Sequence, residues 1–435
     1  MGLRVRCRCR FVPLRQATYS VADSQTSANS SVVTKTRAPF FSEPTEHSSN
    51  RLSRLLQHHL SKTPIVKDED GIPFADPSSE LSFSSFMSLY PKTDRSYEAS
   101  LFRLGHALFD SMHLHLNQDA IVDVRNRVSS IRRKAALSEW LGDAVTPLVD
   151  ADLKKQSSTD PAALIFSLLS GYQIDKACDT AIDCGSVKLA TLISQASGDF
   201  EFREDLREQL QLWREQRIDV HVSVSIRKIY SLLAGSLDVL EGSKASNLER
   251  CPDVDPLEGL DWKRTFGMYL WYVEPMDASI AQVYKSYDRA TRLSPSRVAP
   301  PRPHYLEGAP PQKLAFRIPS PPPSDALFSL IRLYAEPACS LSQILSPLSF
   351  GSSPADYSFP WHLYIILSRC MRVRDLSDRG DGEHVEEVDE DPSGRREGHS
   401  PGADLLASYY AQQLEQLGML QEAIFVLLHI EGSAG

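Results

Sequence analysis

Three clusters carry side chains of the types that bind metals or exchange electrons: His106, His113 and His115; Asp68, Glu69 and Asp70 ahead of Gly71; and Cys178 with Cys184. Imidazoles hold a transition metal only when their spacing turns them toward one ion. His113 and His115 sit two apart on an expected helix, so they point to different faces, and no cysteine or carboxylate at ligand spacing joins them. The acidic run resembles part of a calcium loop, but the D-x-D-x-D-G spacing and the closing glutamate are missing, which leaves a polar turn. No C-x-x-C occurs, and Cys178 and Cys184 read more simply as packing residues than as a redox pair. Phosphate and nucleophile chemistry fares no better: there is no GxxxxGK[ST], no G-x-G-x-x-G after a strand, no G-x-S-x-G and no H-E-x-x-H. The phosphate-cradling and nucleophile motifs need a strand-to-helix turn, and the chain offers no series of strands to hold one. The expectation is a binding scaffold without catalytic, cofactor or metal residues, and not an enzyme.

Composition narrows the class. The 435 residues include 56 acidic and 47 basic side chains, a net charge of −9, which argues against a general nucleic-acid binder. Seven cysteines, scattered apart from Cys7 and Cys9, suit a reducing compartment. The longest apolar run, 419–430, is too short to cross a bilayer and is interrupted by Gln421 and Glu422, so no membrane insertion is expected. The start, MGLRVRCRCR, is positive but lacks the apolar core of a secretory signal. Its Arg-rich, acid-poor composition overlaps with a mitochondrial transit peptide. It also has the period of a strand: Leu3, Val5, Cys7, Cys9 and Phe11 alternate with Arg4, Arg6, Arg8 and Arg10, giving one apolar face that needs a sheet to join.

Most of the remaining chain has helical period. Residues 22–50 are Ser-, Thr- and Asn-rich and read as a linker, after which Leu52, Leu55 and Leu56 share a helix face. Regular helices are expected from about residue 96. Leu101, Leu104, Leu108, Met112 and His115 form one stripe, and Ile121, Val124, Val128, Ile131 and Trp140 form a second that Pro147 ends. Asp160 and Pro161 start the next helix as N-cap and first residue, and Gly171 fits the C′ position. Short helices then follow on stripes at Ala177 and Ala181, Leu189 and Ile193, Leu206 and Trp213, and Ile226, Ile229 and Leu233 up to Gly235. Their spacing matches no repeat consensus, so the expectation is an irregular helical stack. Residues 294–324 form a proline-dense connector, and 375–402 an acidic loop with almost nothing to bury. Helical stripes return at Leu327, Leu330, Ile331 and Tyr334, at Phe359, Leu363, Ile366 and Cys370, and in two last helices before residue 430.

The stretch that these elements surround is 261–272, DWKRTFGMYLWY. Asp261 is an N-cap, and Trp262, Phe266, Tyr269, Leu270 and Val273 recur at i, i+4, i+7, i+8 and i+11. Met268 and Trp271 add a second apolar line, so this core helix must lie between packed neighbours. Asp277 is expected to cap a partner helix carrying Ile280, Val283, Tyr284 and Tyr287, which completes a hairpin.

The wording of these helices resembles a known family. LEGLDWKRTFGMYLWYVEPMDASIAQVYKSYDRA (257–290) resembles the signature hairpin of the nucleoporin ninety-six family, the C-terminal product of an autocleaved precursor whose other half bears FG repeats. IFSLLSGYQIDKACDTAIDCGSVKLATLISQASGD (165–199), SIRKIYSLLAG (225–235), HYLEGAP (304–310), DYSFPWHLYIILSR (356–369) and SYYAQQLEQLGMLQEAIFVLLHI (408–430) are similar to further blocks, in the family's order.

The resemblance implies an all-α fold, an irregular α-solenoid of the ancestral coatomer type that runs out along a trunk, doubles back through a crown and returns. The helical element would cover 96–435, with the crown at about 160–290, behind an N-terminal extension, 1–95, of strands and linker. The function implied is a structural scaffold subunit of the nuclear-pore Y complex at the nuclear envelope, supporting nucleocytoplasmic transport and mRNA export. The partners implied are a Sec-thirteen-type β-propeller, a second coatomer-element nucleoporin bound through the crown, and other Y-complex nucleoporins, without direct nucleic-acid contact. Leu3, Val5, Cys7, Cys9 and Phe11 suit the propeller role, because an added strand satisfies an open edge and fixes register through alternate side chains. The family continues past FVLLHI into a tail that docks a stem nucleoporin, whereas this chain stops at Gly435, so that contact is expected to be absent or incomplete. A vesicle-coat element of the same fold and a mitochondrial helical adaptor are the alternatives. Ser-Pro pairs at Ser294, Ser320, Ser346 and Ser400 are candidate phosphorylation sites.

Overall fold

A computed structural model of the chain describes residues 17–22, 32–37, 46–68, 71–116, 121–155, 160–243, 250–307, 321–379 and 400–430. The strand expected over Leu3, Val5, Cys7, Cys9 and Phe11 lies outside them, as does Ser320. Among the described residues helices dominate, as the apolar period requires.

Strands β1 (Ala17–Ala22) and β2 (Val32–Arg37) come first and pair antiparallel, with Ala17 opposite Arg37 and Ala22 opposite Val32. The second falls inside the stretch expected to be linker, where the β-branched run Val32, Val33 and Thr34 favours extended backbone. Helix α1 (Glu46–Ser61) starts well before residue 96, and its stripe of Leu52, Leu55 and Leu56 is buried. A short hairpin, β3 (Ile65–Lys67) with β4 (Pro73–Ala75), follows; Asp68 accepts the Ile72 amide at 2.8 Å across its turn.

Helices α2 (Phe83–Met87) and α3 (Tyr97–Phe109) pack through Phe86 and Phe102, stacked at 5.0 Å. Helix α3 stops short of Met112 and His115, which the stripe had included. Asp110 turns to extended backbone there, and its carboxylate accepts the Phe83 and Ser84 amides at 3.2 and 2.7 Å, capping α2. Helix α4 (Val122–Lys155) runs through Pro147 and does not end at it. Beyond the proline Val149 is wholly buried and Asp152 pairs with Arg264, tertiary contacts that hold the last turns helical. The expected stripe is also displaced: Ile121, Val124 and Ile131 are exposed, and the buried line is Leu137, Trp140, Leu141, Val145 and Val149.

Helices α5 (Pro161–Ser170), α6 (Ile174–Asp183), α7 (Val187–Ile193), α8 (Phe200–Glu215) and α9 (Val224–Leu233) form the stack of short helices. Asp160 caps α5, accepting the Ala162 and Ala163 amides at 3.1 and 3.3 Å. The left-handed residue that ends α5 is Tyr172, with φ 57°, and not Gly171, with φ −107°. Gly171 serves close approach instead, since a Cβ there would meet Val149 of α4 at 2.6 Å. The order is completed by α10 (Trp262–Met268), α11 (Ile280–Leu293), α12 (Ala326–Ala335), α13 (Pro347–Phe350), α14 (Ser358–Tyr364), α15 (Pro401–Gln416) and α16 (Leu420–Leu427).

The chain forms two compact units. One comprises 1–82, 303–326 and 340–435, and its core joins early and late parts of the sequence. His59 of α1 stacks on Trp361 of α14 with ring centres 4.7 Å apart, and meets Phe425 and His429 edge-on at 5.4 and 5.3 Å. The Ala75 amide donates to the Leu428 carbonyl at 2.8 Å. The Nδ1 atoms of His59 and His362 lie 3.1 Å apart, so one imidazole donates and the other accepts. Burial pushes His59 far below its ordinary range, His362 to about 3 and His429 to about 4, which keeps all three neutral. The acidic loop expected over 375–402 is anchored at both ends. Burial would raise Asp375, but bonds from Arg379, the Leu376 amide and Ser368 outweigh it and keep the carboxyl ionised. Asp378 accepts from Ser400 and the Gly402 amide, at 2.5 and 2.6 Å. The other unit comprises 83–302 and 327–339.

Candidate functional site

Asp261 sets the N-terminus of α10, the segment that organises the second unit. Its carboxylate accepts the Lys263 and Arg264 amides at 2.9 and 3.1 Å, as expected of an N-cap. The Arg264 side chain, 5% exposed, returns to Asp261 at 2.6 Å and reaches Asp152 of α4 at 2.5 Å. Burial alone would weaken its charge; the two carboxylates more than offset this and hold the guanidinium ionised. One ion-paired arginine thus ties the start of α10 to the turns of α4 that lie beyond Pro147.

After Met268 the helix widens into a π-turn over Tyr269–Val273, with the Glu274 amide bonding back five residues to Tyr269. The extra residue rotates the register. Trp262, Phe266 and Leu270 are buried as the spacing requires, but Tyr269 and Val273 are only half-buried, and Trp271 and Tyr272 take the interior positions. Trp271 donates to Ser138 at 2.7 Å and Tyr272 to the Leu169 carbonyl at 2.8 Å, which fixes the segment between α4 and α5. Burial drives the Tyr272 phenol well above its ordinary range, so it remains a neutral donor.

Helix α11 is capped by Ser279, and not by Asp277. The Ser279 hydroxyl accepts the Gln282 amide at 3.3 Å while the Gln282 side chain accepts the Ser279 amide at 2.7 Å, a reciprocal box that leaves Asp277 in the loop. Ile280, Val283, Tyr284 and Tyr287 are buried as expected. Tyr287 meets Phe266 at 5.5 Å and Tyr269 at 6.0 Å, closing the hairpin. Phe328 of α12, absent from the expected stripe, completes the cluster by packing on Trp262, Tyr284 and Tyr287 at 5.4 to 5.7 Å. Helix α12 is apolar on more than one side, so a single-stripe reading passes over Phe328.

Among the described residues no three His, Cys, Asp or Glu side chains are grouped to hold a metal ion. His106 faces Asp110 at 2.8 Å, and His113 and His115 lie past the end of α3. Cys178 places its thiol 3.7 Å from the Ala190 carbonyl, whereas Cys184, expected to pack, is exposed at the end of α6. A cleft of about 650 Å³ between α8 and α9 contains Arg227 and Asp219. Arg227 is already engaged by Cys251 at 2.7 Å and the Pro252 carbonyl at 3.1 Å. Of the Ser-Pro serines, Ser400 is wholly buried as the cap of α15, Ser294 is half-buried, and Ser346 is exposed. No described helix is long and apolar enough to cross a membrane. The second unit has an aromatic core and leaves Ile131, Ile182, Val187, Phe200 and Met276 exposed.

Residues 163–435 match a model of the Nup96 family, described as nuclear protein 96. The chain is 27% identical over 380 residues to nucleoporin nup189 of Schizosaccharomyces pombe, covering 87% of this chain and 20% of that protein. It is 29% identical over 279 residues to the nuclear pore complex protein NUP96 of Arabidopsis thaliana, covering 61% and 24%. It is 26% identical over 339 residues to the nuclear pore complex protein Nup98-Nup96 of Drosophila melanogaster, covering 77% and 15%. The chain therefore spans a quarter or less of the length of these relatives.

Proposed function

The chain belongs to the Nup96 family, and from that premise we propose that it is a structural scaffold subunit of the nuclear pore complex at the nuclear envelope, acting by binding nucleoporins and not by catalysis. The observation that carries this is the family match over 163–435, which contains the buried signature hairpin of α10 and α11. The core shared by α1, α14 and α16 brings the start and end of the chain together, which suits a chain that doubles back. In the finer reading, the crown formed by residues near 160–290 pairs with a second coatomer-element nucleoporin, and strands before α1 complete a Sec-thirteen-type propeller. The chain thereby supports assembly of the Y-shaped coat and, through it, transport and mRNA export.

Location tests the reading directly. A fluorescently tagged chain is expected to stain the nuclear rim in a punctate line. Cytoplasmic puncta would favour a vesicle coat. Mitochondrial staining that disappears when Arg4, Arg6, Arg8 and Arg10 are replaced would favour the imported adaptor.

A further inference from the structure

The hairpin of β3 and β4, in the first unit, has one closed edge and one open edge. The Asp76 amide donates to the Pro64 carbonyl and the Asp68 amide to the Ile72 carbonyl, both at 3.0 Å. Bonded pairs recur at every second residue of an antiparallel ladder. Val66 with Phe74 is therefore the inward pair between them, and Ile65 and Lys67 turn their N–H and C=O groups outward. Ala75, opposite Ile65, has the same outward phase, and its amide donates away from β3 to the Leu428 carbonyl at 2.8 Å. That bond and Pro73, which has no N–H, close the edge of β4. Along β3 all three residues are exposed, and no described residue bonds the outward backbone groups of Ile65 or Lys67. Side chains alternate across the ribbon, so Val66, Phe74 and Ile72 share one face and Ile65 lies on the other. Val66, Ile72 and Ile65 are 40, 59 and 53% exposed, which puts apolar surface beside the open edge on both faces. Lys67 adds a charge that discourages indiscriminate pairing but leaves its N–H and C=O available.

We propose that β3 accepts an extended segment of a partner protein as a third strand. Ile65 and Lys67 present two donors and two acceptors about 7 Å apart, the two-residue repeat of a second extended backbone. A helix cannot answer them, because its own backbone groups are bonded internally. Alternate side chains of the added strand continue the face of Val66 and Ile72, so the segment is apolar at every second position. A three-residue edge falls well short of the roughly 1,000 Å² that a specific interface between two whole copies needs, which favours a free segment over a second copy. The edge lies outside β1, β2 and the 257–290 hairpin, so its occupancy is independent of the propeller and crown contacts.

The probe is a phage-displayed library of linear octapeptides, selected on the full chain and counter-selected on the Lys67→Pro variant. Proline removes an outward N–H and leaves the inward bonds of Val66 and Asp68, so the variant is expected to keep the parent's thermal transition. Selected peptides should carry Val, Ile, Phe or Tyr at alternate positions, and binding should slow amide exchange over residues 64–68. A second measurement needs the parent chain alone. N-methylation of every second peptide amide, in the phase that faces β3, should weaken binding about tenfold by fluorescence anisotropy, whereas the opposite phase should leave it nearly unchanged. Binding indifferent to the methylation phase, or no enrichment over the variant, overturns the proposal. So does sedimentation showing a parent dimer that Lys67→Pro dissociates, which would make a second copy the occupant.

Discussion

Gly267 lies one helical turn before Trp271, and a Cβ added there would come within 2.3 Å of the indole. The ring cannot retreat easily, since Ser138 holds its N–H and Tyr172 covers its face. Two effects compete in Gly267→Ala. Alanine gains up to about 1 kcal/mol of helix propensity, while overpacking a filled site costs about 1 to 3 kcal/mol. Overpacking wins, so the variant is expected to unfold at lower urea concentration than the parent. Gly142 of α4 is the control, because nothing lies within 4 Å of a Cβ placed there and Gly142→Ala should gain stability. Equal gains in both variants would show that the indole yields. The same logic separates the glycines that end helices: Gly235 is left-handed, with φ 68°, whereas Gly171 is there for the approach of Val149 and leaves the left-handed position to Tyr172.

Helices α4 and α1 show what elements add to residues. Pro147 lies inside α4, where it lacks a backbone donor and crowds the preceding turn, at a cost of roughly 3 kcal/mol in a helix interior. Its side chain is exposed, so replacing it leaves no cavity. Pro147→Ala should therefore raise the thermal midpoint; a lowered one would mean that the proline helps position the turn carrying Asp152, which pairs with Arg264. The histidine cluster that joins α1, α14 and α16 makes an opposite kind of prediction, about acid. His59, His362 and His429 have folded-state values below the ordinary 6.5, so as pH falls the unfolded chain takes up protons first. The stability they contribute is present above about 6.5 and is lost as pH falls toward 4 and 3. Each such histidine adds a slope of about 1.4 kcal/mol per pH unit inside that window. The double variant His59→Leu with His362→Leu removes both members of the 3.1 Å pair and should flatten acid unfolding of this unit; an unchanged slope would refute the assignment. These elements also mark how far the sequence could be read. Period located the helices and the buried faces of α10 and α11, because a stripe on one side must be covered. It missed the π-turn, since one inserted residue rotates every later side chain, and so misplaced Tyr269 and Val273. It placed Ile121, Val124 and Ile131 in the interior, because period marks an apolar face without saying whether anything covers it. The histidine cluster was illegible for another reason: His59 and His362 stand 303 residues apart and meet only through tertiary folding.

At the scale of the whole molecule, the proposed scaffold role depends on surfaces and on two strands before α1. Strands β1 and β2 pair only with each other among the described residues, in a two-stranded sheet. An isolated hairpin is marginal in water, and its outer edges present unpaired backbone donors and acceptors. Completing an open propeller blade would satisfy those edges by strand addition, with alternate side chains fixing register. The proposed contact therefore belongs to the segment before α1, and the helical units should be indifferent to its loss. Deleting residues 1–37 is expected to abolish co-purification with a Sec-thirteen-type propeller while leaving the thermal transition of the helices in place. Deleting residues 1–12 alone separates the two candidate strand regions: retained binding would assign the contact to β1 and β2, and lost binding would assign an essential part to Leu3, Val5, Cys7, Cys9 and Phe11. Undiminished co-purification after the longer deletion would move the propeller contact onto the helices and end the strand-addition reading.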